Sequence, residues 1–204
     1  MSPEELCSYI EGRGNGTNLA EQFDCEKESL LSWGKENDIL YTAETFSQRK
    51  AGEEQYLGGG NEHDVYYDAL LARVVKVTKL PDTGNQSDVN THWNFGAQGS
   101  LSAYLTNLEN HNTYFGDDIR IEGILQVGQL LAVISSQPFI YGRKATEDEI
   151  EIWFKSQGYQ KGDRPHTFMQ INTPKIHIFD ARPDNVIFTK NNKVVPIDLQ
   201  IIVQ

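Results

Sequence analysis

The chain has 204 residues, a formal net charge of −11 and 38% hydrophobic residues, as expected of one globular domain with a substantial core. This charge argues against binding to nucleic acid, because neutralising phosphates requires clustered Lys and Arg, and no dense basic run appears. No stretch has the pattern of a signal peptide or the length of a transmembrane helix. Cys7 and Cys25 alone make no disulfide framework. We therefore expect a cytoplasmic protein without nucleic-acid or membrane partners.

The N-terminal part predicts an arm followed by a helix. Residues 1–20 are polar and contain the run GRGNGTN, which favours a mobile or loosely docked arm. The next segment, CEKESLLSWGKEND, predicts a short amphipathic helix that ends near Gly34 or Asn37. Residues 39–57 carry apolar residues at uneven spacing and are expected to lead into a sheet.

A glycine cluster followed by two apolar runs predicts a β-hairpin in the next segment. The stretch YLGGGNEHDVYYDALLARVVKVTKL predicts a strand, a turn at DALLA and a second strand, RVVKVTK. Alternation along the second strand puts Val75 and Val77 on one face. Val74, Lys76 and Thr78 lie on the other face.

Two helices and two strands are predicted after a long polar loop over residues 81–99. Apolar residues at i, i+3, i+4 and i+7 predict a helix within residues 100–115. The segment IRIEGILQVGQLLAVISSQPFIYG predicts two strands around Gly128. In ATEDEIEIWFKSQG, Thr146 is the expected N-cap of a helix, and Glu149 completes its capping box.

The C-terminal stretch, KIHIFDARPDNVIFTKNNKVVPIDLQIIVQ, alternates short apolar runs with polar loops. We interpret the apolar runs as short strands and DARPDN and TKNNK as the loops between them. Because strands outnumber helices along the chain, the sequence predicts a mixed α+β fold.

The loop at residues 180–185 and the later Asp198 supply the groups that phosphoryl transfer requires. That reaction needs a carboxylate to receive or orient the attacking hydroxyl, and oxygen ligands for magnesium on the ATP phosphates. A kinase catalytic loop supplies them as D-x-x-x-x-N, with a further Asp after a short hairpin. Asp180 and Asn185 have this offset, and Asp198 follows a hairpin turned through residues 190–193. The alternative is that DARPDN is only a polar turn between strands.

This pattern resembles the protein kinase-like superfamily, whose catalytic loop has the sequence D-[LIV]-K-P-x-N. The resemblance implies that Asp180 is the catalytic Asp and that Asn185 is a metal ligand. Asp198 would correspond to the Asp of D-F-G, a second metal ligand. The cofactors implied are ATP and Mg²⁺.

The upstream glycines resemble the glycine-rich loop of the same superfamily. Gly58, Gly59 and Gly60 have no side chains to keep backbone N–H groups away from phosphates. Lys76 resembles the third-strand lysine that contacts the α- and β-phosphates. Taken alone, the glycines are a weak signal that a plain hairpin turn would explain, and a lysine on a strand more often belongs to a solvated face. The order of glycine loop, lysine strand, helix, two strands, catalytic loop and metal-binding Asp is that of kinase sequences.

More narrowly, residues 25–204 look like the kinase domain found in polyvalent proteins of phages and mobile elements. The stretches GGGNEHDVYYD, RVVKVTK, YLTNLENHNTYFGDDIRIEG, SSQPFIYG, DARPDNVI and VVPID carry this resemblance. It implies a two-lobed fold, with an arm at residues 1–24, a strand-rich N-lobe at 25–140 and a truncated C-lobe at 141–204. The implied reaction is Mg-ATP-dependent phosphoryl transfer to a hydroxyl of a protein or a small molecule.

Some positions depart from the superfamily pattern and leave other functions open. Ile178 and Phe179 stand where typical kinases have His and Arg, and Asp198 is followed by Leu-Gln instead of Phe-Gly. With only six residues after Asp198, no activation segment is expected. One alternative is a pseudokinase-like module of a mobile-element system that binds nucleotide or a partner protein. Another is a structural domain without a nucleotide site.

Other polar residues have less specific interpretations. Glu109 is the candidate helix partner of Lys76, and a surface role fits it equally well. The five histidines, among them His111, lack metal-ligand spacing and are expected to form local hydrogen bonds. Asp117 and Asp118 are expected to form a turn.

Overall fold

The computed structural model of the chain consists of two compact units. It describes residues 1–13, 19–50, 54–59, 63–80 and 100–204. Unit 1 comprises Met1–Glu109 and Asp118–Phe139, and unit 2 comprises Asn110–Asp117 and Ile140–Gln204. Many strands and few helices in the described residues confirm the predicted α+β class. The domain boundaries predicted after residues 24 and 140 stay predictions. No helix in these ranges is long and apolar enough to cross a membrane.

Within its described residues, unit 1 is built on a six-stranded sheet. Its elements in chain order are α1 (Pro3–Glu11), α2 (Leu19–Glu36), β1 (Leu40–Thr42), α3 (Ala43–Lys50), β2 (Glu54–Gly59), β3 (His63–Asp68), β4 (Arg73–Lys79), α4 (Leu101–Phe115), β5 (Arg120–Val127) and β6 (Leu130–Pro138). The last residues of α4, from Asn110, belong to unit 2. The strand order is β1-β5-β6-β4-β3-β2, with β1 parallel to β5 and the other neighbours antiparallel. The predicted hairpin and the strand pair around Gly128 are confirmed.

Apolar side chains cover both faces of this sheet. One cluster joins α1, α2 and α4 to the sheet, and a second joins α3 to the middle strands. On β4, Val75 and Val77 belong to the second cluster. Thr78 on the opposite face shares a hydrogen bond of 2.8 Å with the Tyr104 hydroxyl of α4. The two predicted faces of β4 are confirmed, and by alternation Lys76 lies on the α4 side.

The first residues of the chain form a packed helix, so the prediction of a loosely docked arm is wrong for α1. Ser2 and Glu5 form a capping box that starts this helix. Leu6, Cys7 and Ile10 are at most 5% exposed and belong to the core of unit 1. Their spacing brings three apolar side chains onto one helical face, which the polar average composition of the segment conceals.

Other expectations for unit 1 have mixed outcomes. The helix predicted before residue 37 is confirmed as α2, which begins earlier than expected. Helix α3 was missed because, among its described side chains, Phe46 alone belongs to the apolar cluster, so no helical period appears. Two predicted segments, residues 14–18 of the arm and the polar loop at 81–99, lie outside the described residues.

Within its described residues, unit 2 contains two small antiparallel sheets and one complete helix. Its elements are β7 (Gly142–Lys144), α5 (Glu147–Ser156), β8 (Gln160–Lys161), β9 (Phe168–Gln170), β10 (Ile176–Phe179), β11 (Val186–Thr189), β12 (Val194–Pro196) and β13 (Gln200–Val203). The sheet orders are β13-β10-β9-β8 and β12-β11-β7. Their apolar core includes Phe154, Ile178 and Leu199. Thr146 and Glu149 form the predicted capping box of α5.

Candidate functional site

The loop after β10 is closed around Asp180. This residue has a left-handed backbone conformation, with φ of 60°, which Asp adopts more readily than most non-glycine residues. Its carbonyl oxygen accepts the backbone N–H of Arg182 at 2.8 Å and the side-chain amide of Asn185 at 2.9 Å. Asn185 ends a short 3₁₀ turn, Pro183–Asn185, that brings it back to the start of the loop. One short loop therefore brings Asp180 and Asn185, which are five positions apart in the sequence, into contact.

The side chain of Asn185 is fixed by the groups that it contacts. Its Nδ2 also donates to the Oδ2 atom of Asp180 at 2.9 Å, and the residue is only 7% exposed. Because both partners can only accept hydrogen bonds, the NH₂ group must face them. The amide oxygen of Asn185 is then on the other side, and an amide oxygen is a suitable ligand for Mg²⁺.

Asp198 is connected to the same loop through its neighbours in the chain. It lies between β12 and β13, and the preceding residue, Ile197, donates its backbone N–H to the carbonyl oxygen of Asn185 at 2.9 Å. In the β10–β13 pair, Phe179 is opposite Gln200. The strand ends next to the two aspartates are therefore side by side. Unit 2 thus assembles three of the predicted site residues around one loop.

The carboxylate of Asp180 also pairs with Arg182, which the sequence analysis missed. The Nε atom of Arg182 lies 2.6 Å from Oδ1 of Asp180, and a terminal nitrogen lies 3.1 Å from Oδ2. The Asp180 side chain remains 37% exposed. An ion pair this exposed adds little stability, so its main effect is to orient the carboxylate. Arg182 occupies the Lys position of D-[LIV]-K-P-x-N, which was the available clue.

Gly58 and Lys76 lie on one line across the sheet of unit 1. Gly58 is opposite Val65 on β3, and Val65 is opposite Lys76 on β4. With about 4.8 Å between neighbouring strands, the two backbone positions are about 10 Å apart. Gly58 has φ of 149°, and a Cβ atom there would have no described heavy atom within 4 Å. Its backbone therefore faces open space. Gly59 ends β2, and Gly60 lies outside the described residues.

Glu109 faces the acidic side chains of α1. Burial and then the charges of Glu4 and Glu11 raise its pKa. Pairing with Lys76 would act in the opposite direction, because a nearby cation favours the ionised carboxyl. These neighbours give no support to a pairing with Lys76, which stays a prediction.

In the described part of the chain, no group of three His, Cys, Asp or Glu side chains could hold a metal ion by itself. Mg²⁺ in nucleotide sites needs fewer protein ligands, because phosphate and water oxygens complete its coordination. The amide oxygen of Asn185 and the carboxylate of Asp198 fit that smaller donor set. As predicted, His111 forms hydrogen bonds with its neighbours.

Comparison with known proteins identifies the family. The model of a family described as serine/threonine/tyrosine kinase found in polyvalent proteins matches residues 24–204. The matched range contains the glycine cluster, Lys76, Asp180, Asn185 and Asp198. No curated protein matches the chain. Because the match covers most of the 204 residues, the chain belongs to the family of serine/threonine/tyrosine kinases found in polyvalent proteins.

Proposed function

We propose that this protein transfers the γ-phosphoryl group of ATP, in the presence of Mg²⁺, to a hydroxyl group of a protein or a small molecule. The observation that carries the proposal is the closed loop from Asp180 to Asn185. It holds a carboxylate and an amide oxygen beside the segment of Asp198. Membership of a kinase family supports the same class of reaction.

Asp180 is proposed to act on the acceptor hydroxyl. Its carboxylate is accessible, and its contacts with Arg182 and Asn185 restrict the directions in which it can accept a proton. As the acceptor oxygen forms its bond to the γ-phosphorus, the hydroxyl proton passes to Asp180. The bond from phosphorus to the bridging oxygen breaks, and that electron pair leaves with ADP.

The other residues are proposed to bind the nucleotide and its metal. Lys76 contacts the α- and β-phosphates, and the backbone N–H groups of residues 58–60 cover the phosphates. Asn185 and Asp198 hold Mg²⁺, which neutralises negative charge on the phosphate oxygens when bound. The partners proposed for the chain are therefore a nucleotide and an acceptor molecule.

The first test is the magnesium dependence of ATP binding, measured by thermal or urea unfolding. Asp198 acts on the nucleotide only through the metal, so ATP should stabilise the wild-type protein when Mg²⁺ is present. At a hundredfold excess over its dissociation constant the gain is about 2.7 kcal/mol. Asp198→Asn should lose most of this gain and still fold without ligand.

The control is Asp163→Asn, which removes an exposed carboxylate elsewhere in unit 2. This variant should keep the full effect of Mg-ATP. An unchanged gain in Asp198→Asn would contradict the metal site. Binding without any phosphate transfer would instead favour a nucleotide-binding module that lacks catalysis.

A further inference from the structure

We propose that His111 and Asp117 form a buried pair that positions the segment carrying Asp198. The inference rests on the proposed function for the role of Asp198, and it assigns a positioning role to two residues outside the kinase motifs. His111 lies near the end of α4, and Asp117 follows that helix. Both belong to unit 2, as does Asp198.

Both ring nitrogens of His111 have partners inside the core. The ring is 2% exposed, and its Nδ1 atom lies 2.5 Å from the Oδ2 atom of Asp117, whose side chain is 9% exposed. The Nε2 atom lies 3.1 Å from the backbone nitrogen of Leu199 and 3.0 Å from its carbonyl oxygen. Leu199 directly follows Asp198 and is itself buried.

The carboxylate decides which nitrogen of the ring carries hydrogen. An ionised carboxylate can only accept, so Nδ1 donates to Asp117, and the lone pair of Nε2 in a neutral ring accepts the N–H of Leu199. In a charged ring, Nε2 donates to the Leu199 carbonyl instead. Each form of His111 therefore binds the backbone next to Asp198, and Asp117 holds the ring in place. Groups that orient a ligand in this way commonly affect metal affinity.

Neighbouring hydrogen bonds hold the same segment on either side of Leu199. The backbone of Ile197 is bonded to Asn185, and the side-chain amide of Asn110 donates to the carbonyl oxygen of Ile201 at 3.1 Å. Leu199 itself lies between β12 and β13, outside the strand ladders. His111 supplies a hydrogen bond to the backbone at this point. Its loss should therefore make the backbone that directs the Asp198 side chain more mobile.

The variants separate the proposed role from simple packing. His111→Phe fills a similar volume but cannot bond to either partner. His111→Gln can reach the Nε2 position with an amide that accepts from or donates to Leu199. Asp117→Asn keeps the shape and removes the charge. Ile150→Ala, in the same apolar core but on α5, serves as a control for general loss of stability.

The first measurement is hydrogen exchange of the Leu199 amide in the unliganded protein. We expect protection in the wild type, at least tenfold faster exchange in His111→Phe, and largely restored protection in His111→Gln. Under conditions where the protein stays folded, Ile150→Ala should leave this amide close to wild type. Equal exchange in wild type and His111→Phe would overturn the inference, whether or not the protein is a kinase.

The second measurement is the affinity for Mg²⁺ in the presence of saturating ATP. Loss of a residue that orients a metal ligand typically costs 10–100-fold in metal affinity. We expect a loss in this range for His111→Phe, a smaller one for Asp117→Asn, and partial recovery in His111→Gln. Wild-type metal affinity in His111→Phe would overturn the positioning role. If the wild type does not bind Mg-ATP, the proposed function fails, and the exchange measurement still decides whether the pair holds the segment.

Discussion

Asp180 combines a backbone conformation and a set of contacts that suit a single task. Its left-handed conformation turns its carbonyl oxygen into the loop, where Arg182 and Asn185 bond to it. The side chain remains partly exposed and is oriented by the same two residues. A residue that only closed a turn would not need an oriented, accessible carboxylate. This arrangement supports a catalytic role for Asp180 in the proposed reaction.

The variant Asp180→Ala tests this catalytic role. Asp180 is proposed to act on the acceptor and not on the nucleotide, so the variant should bind Mg-ATP with nearly wild-type affinity. Its rate of phosphoryl transfer or ATP turnover should fall by about 10²–10⁴, the usual range for a general base. Steady-state kinetics and a binding titration on the same samples measure both quantities.

Asp184→Ala is the matched control for this experiment. Asp184 lies in the same loop, and its carboxylate is 3.8 Å from Arg182 and 47% exposed. Its removal should change the rate much less than the loss of Asp180. If Asp180→Ala turns over ATP as fast as the wild type, the base has been assigned to the wrong residue.

Helix α5 begins at a capping box whose carboxylate also contacts a neighbouring strand. The side chain of Glu149 accepts the backbone N–H of Thr146 at 2.8 Å, and Thr146 accepts the N–H of Glu149 at 3.3 Å. Arg143 on β7 then forms two hydrogen bonds to the Glu149 carboxylate, and its guanidinium lies 4.4 Å from the Phe188 ring centre. The capping carboxylate thus also connects α5 to β7.

This connection predicts a pH dependence of stability. The hydrogen bonds from Arg143, followed by that from Thr146, lower the pKa of Glu149 from its usual 4.5 to about 2. Because the folded-state pKa is the lower one, the stabilisation is complete above about 4.5 and is lost as the pH falls toward 2. The free-energy difference between wild type and Glu149→Gln, measured by urea unfolding, should therefore be largest near neutral pH.

The difference in unfolding free energy between wild type and Glu149→Gln should shrink as the pH falls from about 4.5 toward 2. Asp148→Asn is the control, since it removes an exposed carboxylate from the same turn of α5. Its difference from wild type should change less over the same range. A Glu149→Gln difference that stays constant between pH 6 and 2.5 would show that the ionised carboxylate does not stabilise the helix start.

The proposed function assigns roles to residues of both units. Lys76 and the glycines belong to unit 1, whereas Asp180, Asn185 and Asp198 belong to unit 2. Mg-ATP should therefore slow hydrogen exchange at the end of β2 and in the loop from Asp180 to Asn185 in the same titration. Lys76→Met should weaken the effect at both places, because loss of a phosphate contact lowers the affinity for the nucleotide.

Lys79→Met provides the comparison for Lys76→Met. Lys79 lies on the same strand and pairs with Asp64 at 3.1 Å, so its loss removes a positive charge without removing a proposed phosphate contact. In Lys79→Met, Mg-ATP should therefore still slow hydrogen exchange in both units. Protection confined to one unit in the wild-type protein would contradict the roles proposed for the residues of the other unit.

Features that depend on residues close together in the chain could be predicted from the sequence. The two faces of β4, the start of α5 and the hairpin before Asp198 all follow from periods and caps that span a few positions. The Asp180–Asn185 offset is of the same kind, because one short loop brings both ends together. Motif order along the chain was sufficient to suggest the family, which the comparison with known proteins then showed.

Contacts between residues far apart in the chain, within a core or through a hydrogen bond, became known only from the folded structure. The packing of α1 depends on apolar partners from α2 and α4, and the neighbours of Glu109 depend on where α1 lies. His111 and Leu199 are 88 residues apart, yet a single ring nitrogen contacts both backbone polar atoms of Leu199. No local period or spacing encodes such a contact, because it exists only when strands and helices from separate parts of the chain have packed together.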